Sequence, residues 1–71
     1  MPLIKKSLVI NGGVYKFTAA FTVSSLLDYL NFNKNIIVID YNGAILQKEI
    51  WSDTKLRNAD RIEILTIAGG G

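Results

Sequence analysis

The sequence predicts an α+β domain in which a mixed sheet of four to five strands wraps round one helix. Three observations carry this. The chain has 71 residues, enough for one small core. Apolar residues alternate at period two in several short runs, but Val23, Leu26, Leu27 and Leu30 fall at helical spacing. The pairs Asn11-Gly12 and Asn42-Gly43 sit between strand-like runs, where tight hairpin turns are made.

Residues 8–17 read as a β-hairpin, with Asn11, Gly12 and Gly13 supplying the positive φ angles of its turn. Ile4, Leu8 and Ile10 share one face of the first strand, and Tyr15 and Phe17 share a face of the returning strand. Thr22 is placed to cap a helix over 23–31, its hydroxyl accepting an unpaired N–H of the first turn. Phe21 and Leu26 form a hydrophobic staple across that cap, and Asn31 and Asn33 mark the stop. The β-branched run 36–41 stays apolar on both faces as far as Asp40, which predicts a central strand.

Ala44, Ile45 and Leu46 follow as a short strand, and 47–51 as a single helical turn that buries Ile50 or Trp51. Trp51 is read as closing one end of the core rather than as an interface anchor. Ser52-Asp53 and Asn58-Ala59-Asp60 are turns. The last strand, 61–67, sets Ile62 and Ile64 against Glu63 and Leu65. The helix stripe needs a large apolar surface to cover it, and the sheet face is the one available.

The formal charge is +2, with basic and acidic residues interspersed, so no nucleic-acid partner is expected. The chain lacks cysteine and histidine, which removes disulfides, thiolate zinc and iron–sulfur sites and any Cys or His nucleophile–base pair. The aspartates have no calcium-loop spacing, so no metal site is expected, and Asn11-Gly12-Gly13 lacks the Lys-Ser/Thr of a phosphate loop. No run approaches a membrane span, and the start, Met1-Pro2-Leu3-Ile4-Lys5-Lys6, lacks the apolar segment of a signal peptide. Abundant Ile, Asn and Lys hint at an AT-rich genome, and hence at the bacterial cytoplasm or, if organelle-encoded, the plastid stroma. So small a chain leaves little material to wall off a substrate pocket, which argues against an enzyme.

The C-terminal residues Ala68, Gly69, Gly70 and Gly71 are expected to form a flexible tail beyond a domain spanning 1–67. Without a Cβ, such a backbone passes through slots too narrow for other residues. Four extended residues reach roughly 13–14 Å, which takes a terminal carboxylate well clear of a domain.

The ordered set of motifs resembles a known family. They are Leu8-Val9-Ile10-Asn11-Gly12, Thr22-Val23 before Leu26-Leu27, Asn42-Gly43 before Ile45-Leu46, Lys48-Glu49 before Trp51, Asp60-Arg61-Ile62-Glu63-Ile64, and terminal Gly70-Gly71. Together they resemble the ubiquitin-like sulfur carriers of the β-grasp fold, most closely those of thiamin biosynthesis. The chain departs from the family at Gln47 and Lys48, where members often have proline and arginine, and at Ala59, where they often have glycine.

The resemblance implies a carrier rather than an enzyme, with Gly71 as its reactive residue. An E1-like adenylating enzyme, using ATP and magnesium, would join Gly71 to AMP. A sulfur-donor enzyme would convert the adenylate to a thiocarboxylate, and thiazole synthase would take that sulfur for the thiazole of thiamin. The carrier itself would bind no cofactor. Leu65 and Ile67 lie off the inferred core face beside the tail. With Ile39 or Tyr41 they are a candidate docking patch, or else they cover the second sheet face. Arg61, Arg57 and Lys48 are candidates to pair with partner acids, or ordinary solvated charges. The alternatives are a molybdopterin-type sulfur carrier, a ubiquitin-like protein modifier, and a β-grasp binding module with an inert tail.

Overall fold

The computed structural model describes residues 5–67. Its elements are β1 (Lys6–Ile10), β2 (Gly13–Phe17), α1 (Val23–Tyr29), a 3₁₀ turn (Lys34–Ile36), β3 (Ile37–Tyr41), β4 (Ala44–Leu46), a 3₁₀ helix (Lys48–Asp53) and β5 (Arg61–Thr66). The strands form one mixed sheet in the order β2-β1-β5-β3-β4. Only β1 and β5 run parallel; the other neighbouring pairs are antiparallel. This is the β-grasp architecture the sequence implies. Ile4 and the tail 68–71 lie outside the described residues.

Each hairpin is closed by an Asn-Gly pair with both residues at positive φ: Asn11 at 49° and Gly12 at 83°, then Asn42 at 51° and Gly43 at 92°. That geometry matches the twist of the flanking strands. Gly13 instead opens β2 opposite Ile10 and is not at positive φ, so the first turn is one residue shorter than the sequence reading.

Thr22 caps α1 as expected, in a reciprocal pair with Ser25 rather than with a longer acidic side chain. The Ser25 N–H donates to Thr22 Oγ1 (3.1 Å), and the Thr22 N–H donates to Ser25 Oγ (2.8 Å). The helix closes at Tyr29, with Leu30 as its C-cap and Asn31 at φ 62°. That is earlier than the expected 31, because Asn31 tolerates the left-handed turn that ends the helix.

Val23, Leu26 and Leu27 pack on Leu8, Ile10, Ile37, Ile39, Ile62 and Ile64 from the inner sheet face. Leu30 is only partly buried at the margin of this core. Trp51 is the buried member of the 3₁₀ helix, and its Nε1–H donates to Leu46 O (2.9 Å); Ile50 is exposed. Leu56, which lies between the two turns expected at 52–53 and 58–60, is buried as well, and its N–H donates to Phe21 O (2.9 Å). Burying each such side chain contributes about 1.5–3 kcal/mol.

The centre of the sheet is β5, not the 36–41 run: β3 lies between β5 and β4, and Ile36 belongs to the preceding 3₁₀ turn. Helix covers one face only, so the central strand can carry Arg61 and Glu63 on its open side. Those charges disguise its central place in the sequence.

Candidate functional site

Register decides what the open face presents. Ile39 pairs with Ile64, and Tyr41 with Ile62, on the helix side. Successive strand residues point to opposite faces, so Val38 with Leu65, and Asp40 with Glu63, meet on the outer side. On β4, Ile45 pairs with Asp40 and joins them. Leu65 (50% exposed), Ile67 (51%) and Ile45 (57%) are thus large apolar side chains on the open side of the sheet, with half-buried Val38 between strands.

The residues of the expected docking patch fall on two different faces of the sheet. Leu65, Ile67 and Arg61 are surface residues, as a docking role needs. Ile39 is fully buried, and Tyr41 is half-buried on the inner face, so neither lies with them. Val38 and Ile45 take their places. Once the register with β5 places Ile37 and Ile39 inside, alternation puts Val38 outside.

Ile67 is held at the end of the sheet by its N–H to Ile36 O (2.7 Å), which continues the β3–β5 pairing. The residue that precedes the glycine-rich segment is fixed at the margin of the apolar patch. Ala68, Gly69, Gly70 and Gly71, the remaining site residues read from the sequence, lie outside the described residues.

Polar groups fill the other half of the outer face. Asp40, Asn42, Gly43, Arg61 and Glu63 line a shallow depression of about 290 Å³. Asp40 Oδ1 accepts the Gly43 N–H (2.9 Å), fastening the β3–β4 turn. The Arg61 backbone N–H donates to Asn42 Oδ1 (2.7 Å), and the Asn42 N–H donates to Arg61 O (2.8 Å). The backbone from which Arg61 projects is thereby fixed. Lys48 is engaged within the chain, donating to Asn35 Oδ1 (2.9 Å).

Beneath this end lies Asp60, the buried acidic residue, 8% exposed. Its carboxylate accepts from Tyr41 Oη (2.6 Å), the Arg57 backbone N–H (2.8 Å) and Asn42 Nδ2 (3.1 Å). Burial resists its charge, but the bonds from Tyr41, Arg57 and Asn42 and the Arg57 guanidinium overcome this and hold the carboxyl below its ordinary value. Burial, and then the bond to Asp60, push the Tyr41 phenol up to about 12. A carboxylate held by three such bonds braces the turn into β5. Among the described residues no group of three or more acidic side chains converges to hold a metal ion.

Comparison with known proteins agrees with this architecture. The model of the ThiS family matches residues 8–71. The protein ycf40 of Trieres chinensis is 41% identical over 66 residues, 93% of this chain and 90% of that one. A thiazole synthase of Paramagnetospirillum magneticum is 33% identical over 64 residues, which cover 90% of this chain but only 20% of that protein. The crystal structure of the thiamine biosynthesis protein ThiS from Geobacter metallireducens superposes with a TM-score of 0.80 at 26% identity, covering 92% of this chain and 99% of that one. The mixed sheet round one helix and the match through residue 71 lead to one conclusion: the chain belongs to the ThiS family.

Proposed function

We propose that this protein is the sulfur carrier for thiazole formation in thiamin biosynthesis, with Gly71 as the residue that is charged. Membership of the ThiS family and likeness to the Geobacter ThiS structure support a thiamin-type carrier. The observation that carries the reading furthest is the match to a thiazole synthase of which this chain spans about a fifth. There, a segment like this one shares a polypeptide with a protein named for making thiazole. Joining two modules raises their effective concentration for each other, which is useful when they work together.

The chemistry belongs to the partners. A free carboxylate resists nucleophiles, because its charge repels them and oxide is a poor leaving group. An E1-like enzyme with ATP and magnesium converts the Gly71 carboxylate to an acyl adenylate, releasing pyrophosphate. Hydrosulfide made available by a donor enzyme attacks the acyl carbon, the bond to AMP breaks, and the thiocarboxylate that remains is consumed by thiazole synthase. The carrier contributes a docking face and a side-chain-free terminus, acting as co-substrate and not as catalyst.

Incubation of the protein with its adenylating enzyme, ATP, magnesium and a sulfur donor, followed by intact mass measurement, tests this. The expected product gains the mass of one oxygen-to-sulfur exchange. A ladder of conjugates would instead identify a protein modifier, and an unchanged mass an inert-tail binding module.

A further inference from the structure

The edges of the sheet are not all alike. β2 and β4 are its outer strands. β2 carries Lys16 and β4 has only three residues, and a lysine or a short strand blunts an edge against pairing with another chain. A third edge lies inside the sheet, where β5 outruns its parallel neighbour β1.

Alternation fixes which groups of β5 form it. The Asn42 N–H donates to Arg61 O (2.8 Å) and the Ile67 N–H to Ile36 O (2.7 Å), so the backbone groups of 61, 63, 65 and 67 face β3. Those of 62, 64 and 66 face the β1 side. There the Asn11 N–H donates to Ile62 O (3.0 Å), and the Ile64 N–H donates to Asn11 Oδ1 (2.7 Å). At Asn11-Gly12 the hairpin turns back, while β5 runs on to Thr66. Among the described residues, Ile64 O, Thr66 N–H and Thr66 O therefore have no strand beside them. The stretch Ile64-Leu65-Thr66-Ile67 bears no charge, and all but Leu65 are β-branched, so nothing in it resists one more strand.

The occupant follows from the place of this edge in the chain. Residues 68–71 follow Ile67, so the carboxylate of Gly71 lies at most roughly 13–14 Å from it. An enzyme acting on that carboxylate is thereby brought against the end of β5. The unpaired N–H and C=O groups there match one ligand chemistry, an extended peptide backbone with the same spacing of donors and acceptors.

We propose that an extended segment of the adenylating enzyme joins the sheet in the lane that β1 vacates, antiparallel to β5, with one of its residues exchanging two backbone bonds with Thr66. This rests on the carrier reading above. Adenylation is the step that gains most from such pairing. A carboxylate oxygen has to be held in line with a phosphorus atom of ATP, and positioning supplies much of the catalysis in such transfers. Pairing at Thr66 sets the direction and register of the strand that leads into residues 68–71, and asks nothing of glycines that have no side chains to grip.

Hydrogen–deuterium exchange at the Thr66 amide of the full chain, alone and with the adenylating enzyme, tests this. The amide should exchange freely in the carrier and slow by about tenfold or more in the complex. Thr66→Pro removes an N–H that the fold leaves unused, and should weaken binding and ATP–pyrophosphate exchange by about tenfold, the worth of one backbone bond. Thr66→Ala keeps the N–H and should bind as the parent does. An amide whose exchange is unchanged in the complex overturns the proposal, as does full activity in Thr66→Pro or an equal loss in both variants. If Thr66→Pro fails to fold, the amide of the parent chain decides alone. These failures leave the carrier function standing as long as the parent gains sulfur at Gly71. A parent chain that gains none removes the carrier reading itself.

Discussion

Tyr41 Oη lies 2.6 Å from Asp60 Oδ2, which ties the end of β3 to the turn that launches β5. The bond joins segments 19 residues apart, and Asn42 makes a second link to the same carboxylate.

The first prediction follows from the sign of the Asp60 shift. A carboxyl held below its ordinary value contributes stability above its unfolded pKa of 3.8 and loses it as pH falls through the lower folded value. Tyr41 contributes in the opposite sense: its neutral form is favoured, so its share is present below 10 and lost as pH rises towards about 12. Tyr41→Phe should cost about 1.5–3 kcal/mol at neutral pH, the range for hydrogen bonds to charged groups. Asp60→Asn should flatten the acid limb of stability. Urea unfolding followed by circular dichroism across pH measures both. An acid limb as steep in Asp60→Asn as in the parent would refute the assignment.

Ala59 sits at φ 72°, a left-handed conformation that costs a residue with a Cβ roughly 1–2 kcal/mol. Its N–H is bound to Ser7 O (2.7 Å), so the turn cannot relax without breaking a tie to β1. Ala59→Gly should therefore stabilise the protein by about 1 kcal/mol, less than the full strain because glycine gains freedom when unfolded. A lower urea midpoint in this variant would contradict that reading.

The register of β3 and β5 makes a paired prediction about two apolar residues. Ile39→Ala should destabilise by about 2–5 kcal/mol, since the side chain is completely enclosed. Leu65→Lys should change stability by only about 0.5 kcal/mol, as expected of a surface site, while weakening association with a docking partner. Similar thermal losses in both variants would mean that the outer face is packed against something within the chain.

Deletion of Gly71 should abolish sulfur loading and leave the circular dichroism spectrum and urea midpoint unaltered. Loading that persists in the shortened chain would assign the reactive carboxylate to another residue.

The sequence announced the two Asn-Gly turns, the Thr22 cap and the helix stripe because each is a local device, written in adjacent residues. It was less informative about the sheet's middle. β5 carries Arg61 and Glu63 on its open face, so alternation alone made it look like an ordinary half-exposed strand. Parity between strands was also hidden. Whether Ile39 or Val38 faces outward depends on pairing with β5 across more than twenty residues, and only the register shows it. Leu56 escaped notice because a lone apolar residue among polar ones has no period to betray it.

The placement of β5 has a mechanical meaning. Hydrogen bonds flank this strand on both sides, to β1 in parallel and to β3 in antiparallel fashion. Tension on the chain beyond Thr66 runs along the strand and loads those ladders together in shear, instead of peeling them one bond at a time. A pull applied at Thr66 therefore meets the combined resistance of both ladders before the core beneath the sheet is reached.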